Sequence, residues 1–316
     1  MSIKKFLLIS LFLSLFFFPE GKLLAQESQA ISISPLVFDL SANPGDILKN
    51  NLRLFNPGSQ PIQTKITVED FVLKGEEGEV QILEPESETE RTYSLAHWVK
   101  VEPEEIILEP RQEKFINFTI EVPKNAEPGG KYGSLIVNIS GGETAGTGAK
   151  VLQKVASLLL LSISGEVQEK LIVKEFKGPE FQEYGPINFS LRLENRGTVH
   201  LRPRGLIAIT NWRNHKVADL VIPQQAVMPG AKRIINITWP KKNLFGYFTA
   251  TVVGSYGKAN QPFTASWTFW VWPWKISLLI LIIVILLLIL IIRGRKRISA
   301  ALRILFKGDD EANSHG

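Results

Sequence analysis

Side chains able to do chemistry are few in this chain and poorly spaced for it. The four histidines stand at His97, His200, His215 and His315. None falls in an H-x-x-x-H or H-E-x-x-H spacing, so no two share a helix face to grip a metal. Cysteine is absent, which removes disulfides, zinc–thiolate centres and thiol nucleophiles together. No G-x-S-x-G elbow presents a serine, and no phosphate loop or dinucleotide fingerprint follows a strand. Carboxylates are plentiful, 27 between residues 26 and 274, yet no spacing singles out a pair for sugar cleavage. His97 stands beside Trp98 where a strand begins and reads as a packing residue. The residue types therefore point to binding without catalysis, cofactor or metal.

Binding residues are sought where loops interrupt regular structure. An acidic excursion, KGEEGEVQILEPESETE (74–90), holds Glu76, Glu77 and Glu79 and a short strand signal at 80–83. It lacks the spaced Asp and Asn ligands of a calcium loop. A Gly/Thr tip, GGETAGTG (141–148), holds Thr144 and Thr147. These five residues are the candidate contacts. A competing patch is basic, with Arg202, Arg204, Arg213 and Lys216, and would hold an anionic polymer by charge alone. Residues 26–165 contain 12 basic and 20 acidic residues, whereas 166–274 contain 14 and 7. The overall +5 thus conceals an acidic half followed by a basic half. No basic–aromatic module suggests nucleic acid. Four N-x-S/T sequons occur, at Asn117, Asn138, Asn188 and Asn236, three of them on the polar face of an alternating stretch.

The elements that must position these residues are strands. Leu48, Leu52 and Leu54 alternate with Lys49, Asn51 and Arg53, and Ile116, Phe118 and Ile120 alternate with Asn117, Thr119 and Glu121. Period two with turn signals every 8–12 residues predicts β-sandwiches, and no stretch between 26 and 270 has a helical period. Leu158–Leu161 is a continuous apolar run, as in a strand covered on both faces or one in the centre of the sandwich. The second half also repeats the first. LRLFNPGSQPI (52–62) aligns with LRLENRGTVHL (191–201), EPRQEKFINFTI (109–120) with VMPGAKRIINITW (227–239), and EPGGKYGSLIVNI (127–139) with NLFGYFTATVVG (243–254). Asn-x-Gly ends the matched strands, a choice suited to left-handed backbone. The prediction is all-β: two tandem immunoglobulin-like β-sandwiches, 26–165 and 166–271.

Both ends address a membrane. Lys4, Lys5, an apolar run from Phe6 to Phe18 and Leu23-Leu24-Ala25 read as a signal peptide over 1–25. KISLLILIIVILLLILII (275–292) predicts one transmembrane helix. Trp270, Trp272 and Trp274 precede it at headgroup level. Arg293, Arg295, Lys296 and Arg297 follow it and predict a cytoplasmic tail, 293–316, with the body of the chain outside. RISAALRILFKG (297–308) reads as a short amphipathic helix on the inner leaflet.

ISISPLVFDLSANPGDILKNNLRLFNPG (31–58), WVKVEPEEIILEPRQEKFINFTIEVPKNAEPGGKYGSLIVNI (98–139) and VASLLLLSISGEV (155–167) together resemble the WxL-interacting-protein family. The match is similar to that family's membrane-distal peptidoglycan-binding domain, and the layout of second domain, Trp-rich entry, single helix and basic tail matches as well. The resemblance implies a bacterial surface protein contacting cell-wall peptidoglycan or a surface or secreted protein, with host proteins as ligands of the second domain. The alternative is an extracytoplasmic chaperone or assembly factor that offers a sheet edge to a client strand.

Overall fold

The computed structural model describes residues 31–83, 92–140 and 153–307, with side chains through Arg293. The signal reading over 1–25 and the tip residues Thr144 and Thr147 lie outside the described residues.

Residues 31–163 form β1 (Ser32–Ser34), β2 (Val37–Ala42), β3 (Ile47–Phe55), β4 (Ile62–Glu69), β5 (Phe71–Lys74), β6 (Glu79–Ile82), β7 (Val99–Glu102), β8 (Glu105–Leu108), β9 (Glu113–Glu121), β10 (Gly129–Ser140) and β11 (Gln153–Ile163). One sheet runs β1-β3-β9-β7, the other β2-β11-β10-β4-β8, and β5–β6 is a separate hairpin. The next stretch forms β12 (Leu171–Lys177), β13 (Phe181–Gln182), β14 (Ile187–Asn195), β15 (Arg204–Asn211), β16 (Lys216–Val221), β17 (Lys232–Trp239), β18 (Gly246–Tyr256) and β19 (Gln261–Val271). Its sheets run β12-β14-β17 and β13-β19-β18-β15-β16. The chain is all-β, two immunoglobulin-like sandwiches in tandem, followed by one helix.

The repeat holds at the level of register. Leu52 faces Ile116 across β3 and β9, and Leu191 faces Ile235 across β14 and β17. In both units a short strand joins the last strand in parallel, β2 on β11 and β13 on β19. Alternation does what the pattern requires. Leu52, Leu54, Ile116 and Phe118 enter one core, and Phe189, Leu191, Leu193 and Ile235 enter the other. Each such burial removes a large apolar side chain from water, worth about 1.5–3 kcal/mol.

The shared Asn-x-Gly has a different cause from the one its composition suggests. Neither asparagine nor its glycine has a positive φ. Asn56 is wholly buried and its Nδ2 donates to the carbonyls of Gln60, Leu108 and Glu109 at 2.8, 3.1 and 3.1 Å. Asn195 is equally buried and donates to Val199 and Val227, both at 2.8 Å. Each Oδ1 accepts the N–H two residues on, from Gly58 at 2.9 Å and Gly197 at 2.8 Å. The asparagine is a buried staple between two turns. Gly197 is required by space, since a Cβ there would lie 2.1 Å from the carbonyl oxygen of Gln168.

Two residues after β19, helix α1 runs from Trp274 to Lys307. Its stretch Trp274–Arg293 is long and apolar enough to cross a bilayer, and its apolar window is not buried against the rest of the chain. The reading of a separate helix at 297–308 is corrected: α1 continues through Arg293, Arg295, Lys296 and Arg297 without a break. No proline interrupts it, and a lone Gly294 costs a helix only about 1 kcal/mol.

Candidate binding edge and the junction that presents it

The acidic excursion is where the structure departs most from expectation. Its residues 74–82 belong to the β5–β6 hairpin, whose tip lies on the second unit, and its residues 84–90 lie outside the described ones. The Glu76 carbonyl accepts the Ile234 N–H at 2.7 Å, and its carboxylate pairs with Arg192. That bond holds the Glu76 carboxyl below its usual range and raises the Arg192 guanidinium. Glu76, one of the candidate contacts, thus braces the two units, while Glu77 and Glu79 stay exposed on the same hairpin. Arg192 is correspondingly not an idle surface residue of its strand.

Behind the hairpin lies a third apolar cluster that belongs to both units: Phe71, Tyr132 and Leu160 from the first, Met228 from the second. It explains the run Leu158–Leu161. Leu159 and Leu161 face the core of the first unit, and Leu160 and Leu158 face this junction. Tyr132 is seated by a neighbouring gap, since a Cβ on Gly130 would lie 1.9 Å from its hydroxyl. Burial pushes the Tyr132 phenol up.

On the other side of the junction, Asp39 of β2 meets His200 and Arg202 of the second unit. His200 Nε2 lies 3.0 Å from Asp39 Oδ1, and Arg202 Nε lies 2.9 Å from Oδ2 without the alignment of a hydrogen bond. The hydrogen bond to His200 is the main reason the Asp39 carboxyl sits below its usual value. These groups line a cleft of about 300 Å³ with Glu169, Arg204 and Lys258. The Gly130 N–H adds a third tie, to the Thr198 carbonyl at 2.9 Å. His97, in a 3₁₀ turn before β7, takes no part in the junction cleft.

The basic patch does not assemble. Arg202 and Arg204 stand at the junction end of β15, while Arg213 and Lys216 stand beyond its other end. Lys216 is paired with Asp219 at 2.8 Å, and Arg213 lies over the Trp212 ring at 4.4 Å.

The junction fixes one end of the β10–β11 hairpin and directs the other away from the second unit. Along β11, the parallel strand β2 covers Leu158 to Ile163. Its cover ends there because the chain crosses to the opposite sheet at Pro35, after β1 pairs with β3. The last backbone bond of that side is from the Leu158 N–H to the Leu36 carbonyl at 2.9 Å, followed by the Ser157 hydroxyl donating to the Pro35 carbonyl at 2.8 Å. From Gln153 to Ala156, β11 pairs with β10 alone among the described residues. Antiparallel strands direct alternate residues outwards, so Lys154 and Ala156 share the outward sense of Leu158 and direct N–H and C=O to a side where no described strand pairs with them. Leu36 and Val37 beside this edge are 62% and 38% exposed. Sequence reasoning missed the edge because it depends on where β2 stops, and only Pro35 hinted at that.

No family model and no curated protein matches the chain. Among solved structures it is similar to the class 5 fimbriae chaperone CfaA, at 14% identity and TM-score 0.39, over 75% of this chain and 98% of that one. It is likewise similar to the Salmonella enterica SafA pilin–SafB chaperone complex (13%, TM-score 0.36, 76% and 98%) and to the E. coli chaperone DraB (11%, TM-score 0.35, 75% and 98%). With TM-scores below 0.5, function must be argued from the geometry of this chain.

Proposed function

We propose that the chain is a membrane-anchored extracytoplasmic binding protein whose first unit takes up an extended segment of a partner protein along the open half of β11. One observation carries this: Lys154 and Ala156 direct backbone donors and acceptors into space that no described strand fills. An edge of this kind is a template for strand addition, with main-chain bonds for affinity and flanking apolar side chains for selectivity. Leu36 and Val37 supply such side chains. The apolar stretch of α1 fits membrane anchoring, and the braces at Glu76 and Asp39 hold the edge at the end farthest from that helix. A wall partner, which the resemblance to WxL-interacting proteins implies, is the competing outcome of the same test.

The test compares the wild-type chain with Ala156→Pro, in detergent, for capture of surface proteins and for sedimentation with purified sacculi. Proline deletes the outward N–H and leaves the β10 ladder intact. Loss of one specific protein from the Ala156→Pro capture is expected. Equal capture by both forms, or sedimentation with sacculi and no protein, would overturn the edge reading.

A further inference from the structure

The end of the second unit next to α1 carries aromatic side chains from four separate segments. Phe181, Trp270 and Tyr247 lie in register across β13, β19 and β18, on the face opposite buried Val271. One step nearer the helix, Phe245 packs on Trp272, ring centres 4.7 Å apart. Trp212, in the β15–β16 turn, lies beside Gly246, whose added Cβ would meet its ring at 3.8 Å. Phe181, Phe245, Trp212 and Trp270 are 53–64% exposed, an unusual cost for a surface that meets only water. Cations rim the group: Arg213 over Trp212, exposed Lys241 and Lys242, and Lys275, which pairs with Glu183 at 2.8 Å.

Only Trp272 and Pro273 separate β19 from α1. Even these are held, the Trp272 N–H donating to the Gln182 carbonyl at 3.0 Å and the Trp274 N–H to the Trp272 carbonyl at 2.8 Å. No slack remains to lift this end of the sandwich away from the plane where α1 enters. We propose that it is a lipid-contacting collar: the aromatic groups of all four segments sit in the headgroup region, and the lysine and arginine rim meets lipid phosphate. Trp and Tyr favour that layer, having apolar rings with a polar edge, and cations gain there from anionic headgroups. The inference rests on α1 spanning a bilayer. It adds that the ectodomain is seated on the membrane by its own surface and does not swing from a tether.

Because the chain has no cysteine, one introduced thiol gives one labelled site. Full-length chains with Phe181→Cys, Phe245→Cys, Trp212→Cys, Leu286→Cys or Phe115→Cys are labelled with a fluorophore and reconstituted in phosphatidylcholine–phosphatidylglycerol nanodiscs. Quenching is read from lipids with a nitroxide at the headgroup or deep in the acyl chain. The collar predicts headgroup-level quenching at 181, 245 and 212, deep quenching at 286 and none at 115. Quenching at 286 with unquenched labels at 181, 245 and 212 overturns the collar and leaves the anchor standing. Quenching at 115 as well overturns it too, since the whole ectodomain would then lie on lipid. An unquenched label at 286 removes the anchor reading itself.

Discussion

At the scale of residues, the two units are held closed by the same device, a buried asparagine, and its removal is informative. Asn195→Ala leaves the carbonyls of Val199 and Val227 and the Gly197 N–H without their partner, so a loss of about 2–4 kcal/mol is expected from denaturant unfolding, and the same for Asn56→Ala. A loss below about 0.5 kcal/mol would show that the turns do not depend on it. Leu193→Ala, at a fully buried position, should cost about 2–5 kcal/mol. Asp39 makes the junction sensitive to acid. Its folded value lies below the ordinary 3.8, so its contribution is complete above that pH and is lost as pH falls through the folded value. The stability gap between wild type and Asp39→Asn should therefore close as pH falls below the ordinary 3.8 in urea melts, and a gap that widens on acidification would reverse the assignment. The asparagines were visible in the sequence as a repeat. Their role was not, because Asn is common in turns for several reasons and only burial separates them.

At the scale of elements, alternation in β3, β9 and β14 made strands and their inward faces legible, and the apolar run at Leu158–Leu161 already said that β11 is covered twice. Which surface covers it was out of reach: Glu76 meets Arg192 across 116 residues of sequence, and no local pattern encodes that. The acidic residues of 74–83 look solvated because most of them are, and one turns inwards. The edge of β11 is encoded by a chain crossing at Pro35, which a pattern of alternation does not register. Paired substitutions test its geometry. Ala156→Pro should change stability by under about 1 kcal/mol, because its N–H points away from β10. Ser157→Pro removes an N–H that the register sets against Leu135, and should destabilise by several times more. Equal losses in calorimetric melts would mean that the outward sense of Ala156 is misassigned.

At the scale of the molecule, the second unit is a spacer as much as a domain. The 11 residues of β18 run from Gly246, at the end next to α1, to Tyr256, one residue short of Gly257 in the junction cleft, about 33 Å at ~3.3 Å per residue. The first unit is held beyond that distance, and its β11 edge is directed farther still. Glu76, Asp39 and the Met228 cluster make the pair one body, so spin labels at Phe115→Cys and Val221→Cys should give a single narrow distance. Glu76→Lys, which sets like charges at Arg192, should broaden it; a broad wild-type distribution would refute the brace. The apolar helix and the acidic and basic halves were legible from composition, whereas the junction is a property of contacts between the halves. The central claim, that a partner strand lies along β11, is tested most directly by a photoreactive amino acid in place of Lys154 in intact cells. A partner strand there gives a crosslink to one protein that disappears when Ala156→Pro is added and is absent when the probe replaces Phe115. A crosslink to glycan, or one that survives Ala156→Pro, would contradict it.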